Sequence, residues 1–111
     1  MPVIQDPPTL DNLRAGIYRH YGYRHQLLKL IEELSELQKA TAELLAVDER
    51  FNNVDDYSGD IETCKGEMLL EIADVENMLG QVKLALGIKD IDVDVAAYRK
   101  CVREHERIKG Q

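Results

Sequence analysis

Two pairs of carboxylates carry the spacing that chemistry would need: Glu33 with Glu36, and Glu71 with Asp74. Residues three apart on a helix share one face, so the oxygens of each pair can converge. Two such helices packed side by side would gather four carboxylates into an all-oxygen, strongly negative site. That donor set suits a hard cation, Mg²⁺ or Mn²⁺, held at roughly 2.1 Å. Without a cation the four acids would repel one another and some would take up protons. A lone ExxE is common on solvated helices, and the surroundings narrow this one. Glu67, Glu71 and Asp74 have no Lys or Arg at i±3 or i±4. Solvated faces usually interleave signs, because like charges at i,i+4 cost about 0.2–0.5 kcal/mol. The first pair is less isolated, with Lys29 at i−4 from Glu33 and Lys39 at i+3 from Glu36. A di-iron carboxylate site needs Glu-x-x-His on two helices, and no ExxH occurs in the chain.

The elements that must position these acids are helices. From Gly66 to Gly87, Met68, Ile72, Val75, Leu79, Val82 and Leu86 recur at steps of four and three and predict an amphipathic helix. Glu67, Glu71 and Asp74 fall roughly 60–120° from the centre of that stripe. Asp60 or Thr63 is expected to cap this helix, and Gly87 fits a left-handed residue after its end, with Ile88 packing back. The preceding helix is expected from about Gly22 to Ala46, with Leu27, Leu30, Ile31, Leu34, Leu37, Gln38, Thr41, Leu44 and Leu45 as its stripe. Glu33 flanks that stripe at about 90°, and Glu32 and Glu36 lie further round.

Residues 47–59 lose the periodicity, gather Asn, Asp, Ser and Gly, and are expected to form a loop between the acidic helices. They do not make a calcium loop: Gly59 at the sixth position puts Val54 first and Lys65 twelfth. Residues 1–8 hold all three prolines and are expected to be an extended arm. Thr9 would cap a short helix through Leu10, Leu13 and Ile17, broken near Gly22 in the aromatic and basic run YRHYGYRH. His20 and His25 have no second His or Cys at metal spacing and are expected to pack or face solvent. A last helix, capped by Asp90 or Asp92, runs through Val95, Tyr98, Val102 and Ile108 and closes at Gly110.

The sum is one all-α domain over residues 1–111: an antiparallel helical bundle of three main helices with a short one in front. A chain of 111 residues buries a modest core, so completion by oligomerisation, as a homodimer or homotetramer, is expected. A net charge of −7 excludes sequence-independent binding to nucleic acid, which needs a basic footprint. It leaves room for a phosphorylated ligand, because a metal inverts the local sign. Cys64 and Cys101 follow no disulfide or zinc pattern and fit reduced thiols in the cytoplasm. Pro2, Asp6, Pro7 and Pro8 interrupt any signal-peptide core, and no apolar run approaches a membrane span.

EELSEL over 32–37 followed by EIADVENML over 71–79 resembles the signature of the MazG-like nucleotide pyrophosphohydrolases, all-α enzymes with ExxE on one helix and ExxD on the next. HQLLKLIEELSELQKA is similar to the family's first core helix, and KCVREHERI over 100–108 is similar to its basic C-terminal ending. The likeness covers roughly residues 22–108, and the sequence looks like the short, single-domain members often found in phages and bacteria. It implies that Glu33, Glu36, Glu71 and Asp74 hold Mg²⁺ ions on a nucleoside triphosphate. Water then attacks the α-phosphorus, giving nucleoside monophosphate and pyrophosphate. Glu32 is a candidate either to support the ligands or to act as general base, although its position opposite the stripe points it to solvent, and Glu67 lies outside the motif. Gln26 and Asn77, each a turn or two from a matched acid, are candidates for the base or sugar. Lys83, Lys100 and Arg103 are candidates to balance the triphosphate, most simply across a subunit boundary. Met78 offers no strong hydrogen bond where some relatives carry a polar or aromatic residue. Two other classes stay open: a nucleotide- or metal-binding regulatory module without turnover, and a purely structural helical oligomer.

Overall fold

Helix start and stop signals account for the order of elements. The computed structural model, which describes residues 6–50 and 54–111 and the side chains of 6–47 and 60–111, contains four helices among the described residues. Helix α1 spans Leu10–Tyr21, α2 Tyr23–Arg50, α3 Val54–Leu86 and α4 Asp90–Lys109. No strand occurs among the described residues. The Thr9 side chain accepts a hydrogen bond from the Asn12 N–H at 3.1 Å and caps α1. Gly22, at φ 87, turns the chain between α1 and α2, a backbone conformation that costs glycine nothing. Gly87, at φ 66, ends α3, and the Ile88 N–H donates back to the Lys83 carbonyl at 2.9 Å.

Three expectations change. The segment 47–59 is helical at 47–50 and 54–59, while 51–53 lie outside the described residues. Asp, Glu and Arg tolerate a helix interior, so loss of apolar periodicity marked the end of a packed face rather than the end of a helix. Asp60 and Thr63 consequently sit inside α3 instead of capping it. At α4 the cap position belongs to Lys89, which makes no side-chain cap, and Asp90 and Asp92 fall in the first turn, where their charge favours the helix dipole. Of the expected arm, residues 1–5 lie outside the described residues and 6–9 are non-helical.

Helices α2 and α3 pack along their lengths, and α1 lies mainly on α3. The pair is antiparallel: Gln26 meets Gln81 at one end, and Thr41 meets Met68 towards the other. The contact row on α2 is Gln26, Leu30, Glu33, Leu37, Ala40 and Leu44; on α3 it is Cys64, Met68, Glu71, Val75, Met78, Val82 and Ala85. Both rows step by three and four, as one helix face must. The broad apolar stripes in the sequence therefore split. Leu30, Leu37, Val75 and Val82 lie in the contact rows, while Ile31, Leu34, Ile72 and Leu79 stay exposed one position on. No residue of α4 is buried, and it packs closely against none of the other helices. The radius of gyration of 19.0 Å reflects that, against about 13 Å for a compact chain of this length.

Candidate metal centre

The antiparallel register brings Glu33, in the contact row of α2, against Glu71 and Asp74 of α3. One carboxylate oxygen of each lies within 4.8 Å of the others. Glu71 is in the contact row itself rather than on its flank, and Asp74 sits one position back towards solvent. Burial has a cost here: Glu71 Oε2 is sealed from water and has no hydrogen-bond partner. Desolvation first, and then the charges of Asp74, Glu36, Glu33 and Glu67, push the Glu71 carboxyl above its ordinary value. A buried, unpartnered carboxylate oxygen facing two more carboxylates is the environment that a hard cation relieves.

Among the described residues, one cation pairs with the cluster. Lys29 Nζ lies 3.2 Å from Glu33 Oε1 and 3.4 Å from Glu32 Oε2. Hydrogen bonds to Glu33 and then Glu32 hold the Lys29 ammonium above its usual range. Glu33 is only 14% exposed and Glu32 is 70% exposed, so Glu33 faces the cluster and Glu32 the solvent, as its place on the helix predicts. The fourth predicted carboxylate, Glu36, is not part of the tight group. It lines an adjoining groove with Lys39, Glu43, Glu67 and Glu71. The reason is geometric: Glu36 precedes the contact-row residue Leu37 by one position, about 100° round the helix, whereas Glu33 is in the row.

Beside the acids is a cavity of about 460 Å³, lined by Tyr21, His25, Gln26, Lys29, Glu32, Glu33, Asp74, Asn77, Met78 and Gln81 among others. The Tyr21 and His25 rings stack at 4.6 Å, 15° from parallel. Gln26 and Gln81 are both buried, and Gln26 Nε2 donates to Gln81 Oε1 at 2.7 Å. The Asn77 main-chain carbonyl fixes the direction of this chain. It can only accept, so Gln81 turns its amide N–H towards it at 3.3 Å. Gln26 then donates to Gln81, and its own oxygen accepts a hydrogen bond from His25 Nδ1–H at 2.6 Å. This relay selects the Nδ1–H form of His25.

The other predicted ligand contacts distribute unevenly. Gln26 and Asn77 do line the cavity, but both are engaged within the chain; Asn77 Oδ1 accepts from Arg14 Nε at 3.1 Å. Lys83 binds Asp90 at 2.7 Å and faces a different cavity, with Arg14 and Lys89. Lys100 and Arg103 are on α4, exposed and outside both cavities. Arg14, Tyr21, His25 and Gln81 went unremarked as parts of a site. Gln81 was accessible through register: Glu33 opposite Asp74 in an antiparallel pair puts Gln26 opposite Gln81. Nothing in spacing alone brings α1 over this end of the pair.

No family model, curated protein or solved structure matches the chain.

The raised Glu71 carboxyl has a measurable consequence. In the metal-free protein its folded pKa exceeds the unfolded value, so the folded state binds the proton more tightly. The penalty is absent below the ordinary carboxylate value of 4.5 and fully present once pH passes the raised one. Calorimetry in chelator should therefore show this contribution to stability falling as pH rises through that window. The rise in Tm produced by Mg²⁺ or Mn²⁺ should be largest near neutral pH and fade in acid. A metal-induced shift that is absent, or equally large at acid pH, contradicts binding at these carboxylates.

Proposed function

We propose that the protein is a cytoplasmic, Mg²⁺-dependent nucleoside triphosphate pyrophosphohydrolase of the MazG-like kind, releasing nucleoside monophosphate and pyrophosphate. The observation that carries the reading is the convergence of Glu33, Glu71 and Asp74 with the buried, unpartnered Glu71 Oε2 among them. An all-carboxylate set of this size fits Mg²⁺ or Mn²⁺ and lacks the nitrogen and sulfur donors that zinc sites use. The bound ion would neutralise phosphate charge and make a coordinated water more acidic. The chain's residues then have separable roles. Glu33, Glu71 and Asp74 hold the ion, and Glu36 adds negative charge from the adjoining groove. Glu32, exposed at the cavity edge and paired with Lys29, is the candidate to take a proton from an attacking water.

The cavity supports the nucleoside end of the substrate. Its volume is in the range of small-molecule sites. The stacked Tyr21 and His25 rings offer an aromatic edge, and Asn77 and the His25–Gln26–Gln81 relay add polar groups at fixed positions. Lys29 can swing from Glu33 towards phosphate when an ion takes its place, since it is long and half-exposed. Lys83, Lys100 and Arg103 would reach substrate only from another subunit or after rearrangement. The unbonded thiols of Cys64 and Cys101 fit a reducing compartment. Among the described residues no helix is long and apolar enough to cross a membrane. The chain is taken to work as a homo-oligomer, because its own helices leave most of its large apolar side chains uncovered.

A panel of ribo- and deoxyribonucleoside triphosphates with Mg²⁺ or Mn²⁺, read as monophosphate plus pyrophosphate, tests the reading. Metal-dependent turnover of at least one is expected. Thermal stabilisation without product would instead identify a binding module, and no response to metal or nucleotide would leave a structural oligomer.

A further inference from the structure

Asn77 lines the cavity beside Glu33 and Asp74, but its hydrogen-bonding sense is set from outside that cavity. An arginine Nε–H can only donate. The 3.1 Å contact from Arg14 Nε is therefore made to Asn77 Oδ1, and the Nδ2 amide group is left as the free end of the side chain, with no partner among the described residues. Arg14 itself does not line this cavity. It comes from α1, which packs on α3, and lies half-buried in the wall of the neighbouring cavity. Its seat there depends on Gly80. Positions 77 and 80 are three apart on α3 and so share a face. A Cβ at position 80 would lie 2.7 Å from Arg14 Cδ and 3.0 Å from Nε and Nη1. The atoms that a methyl group would displace are thus the donor to Asn77 and its neighbours. A glycine inside a helix destabilises it relative to alanine. Gly66, inside the same helix, has nothing within 4 Å of the corresponding point, whereas Gly80 makes room for one particular side chain.

We propose that Arg14 is a positioning residue for substrate selection: seated over Gly80, it fixes Asn77 as a hydrogen-bond donor towards the cavity. The nucleoside bound there must then present an acceptor to Asn77, a base carbonyl oxygen or an unprotonated ring nitrogen. This role rests on the nucleotide reading of the cavity and adds to it a polarity and a residue of α1. A lone asparagine amide can turn over, offering its oxygen or its N–H groups to a ligand with equal ease. Held through its oxygen it cannot, because the turned amide would set N–H against the Arg14 Nε–H. The effect falls on binding rather than on the chemical step, since Arg14 contacts Asn77 and none of the three carboxylates that converge on the ion site.

Gly80→Ala is the direct test, because it displaces Arg14 without removing its charge or any group that lines the cavity. The variant should fold, since alanine is the better helix former and the atoms it meets belong to a flexible side chain. With the common ribo- and deoxyribonucleoside triphosphates and Mg²⁺, KM for the preferred one should rise about 3–10-fold, the worth of orienting one hydrogen bond, with kcat held. Arg14→Ala should do the same. The double variant should be no worse than either alone, because Gly80→Ala acts only through Arg14. Lys89→Ala, which removes a cation from the same neighbouring cavity, should leave KM unchanged. Independently of turnover, the Asn77 side-chain amide resonance, assigned by its loss in Asn77→Ser, should move in both Gly80→Ala and Arg14→Ala. A resonance that stays in place, an unchanged KM, or losses that add in the double variant would each overturn the role of Arg14. If the wild type turned over none of these triphosphates, the catalytic reading would fail on its own. Their dissociation constants, followed on the Asn77 amide, would then stand in for KM: a rise in Gly80→Ala would support the positioning role, and a constant value or no binding would overturn it.

Discussion

Glu71→Gln should lower nucleotide turnover by ~10²–10³-fold, the scale seen when one charge stabiliser is removed from an active site, while raising the Tm of the metal-free protein. Both signs come from one environment. Glu71 is the acid most strongly opposed by its surroundings, through desolvation and through Asp74, Glu36, Glu33 and Glu67. An amide of the same shape removes that repulsion, and its N–H can donate to Glu33 or Asp74, whose oxygens are within 4.8 Å of the Glu71 ligand atom. It also removes one of the three carboxylates available to an ion, so the Mg²⁺-induced rise in Tm should disappear. Steady-state kinetics beside calorimetry, with and without metal, separates the outcomes. Lost activity with lost stability would describe a structural residue. Full activity in Glu71→Gln would take this carboxylate out of the mechanism. Glu67→Gln is the matched control: Glu67 belongs to the same acid row but lies outside the tight group, and its replacement should leave turnover within a few-fold.

How far these features were legible in the sequence depends on how many partners each helix has. Gly22 and Gly87 are visible because a left-handed backbone leaves few residue choices, and Thr9 because its cap is a local hydrogen bond. The apolar stripes were visible as stripes, but a stripe wide enough for two partners has a misleading centre. On α3, averaging Met68, Val75 and Val82 with Ile72, Leu79 and Leu86 moves the apparent centre away from Glu71 and makes it look like a flank. In fact Glu71 occupies the contact row, which is why it loses water and a partner together. The stripe already set Glu36 further round α2 than Glu33, but pairing by i,i+3 spacing kept both as ligands, although Glu33 lies inside the cluster and Glu36 in the next groove. Residues of α1 were unreadable as site components because their approach depends on how the chain turns at Gly22, which periodicity does not encode.

The relay of buried amides should have a large effect on stability. Gln26 and Gln81 sit at 3% and 2% exposure, and each satisfies the other. Gln26→Leu alone strands Gln81 Oε1 without water and frees His25 Nδ1–H from its acceptor, at a cost of about 1–3 kcal/mol. With a shift of roughly 4–8 °C per kcal/mol for a domain near this size, Tm should drop by about 5–20 °C. Gln81→Leu should cost a similar amount, because Gln26 Nε2 is then the stranded group. Combining the two removes donor and acceptor together and fills the space with methyl groups, so the double variant should recover most of the loss. The cycle should return a coupling of about 1–2 kcal/mol, well above the few tenths expected for independent sites. Urea denaturation of all four proteins at one fixed concentration measures it, with concentration held because association contributes to the apparent stability. Simple additivity would mean that the two amides are solvated in solution and the relay does not form. Since both amides also line the cavity beside Glu33 and Asp74, the double variant separates their roles. Recovered stability with an unrecovered KM for nucleotide would assign the relay to substrate binding as well as to the fold.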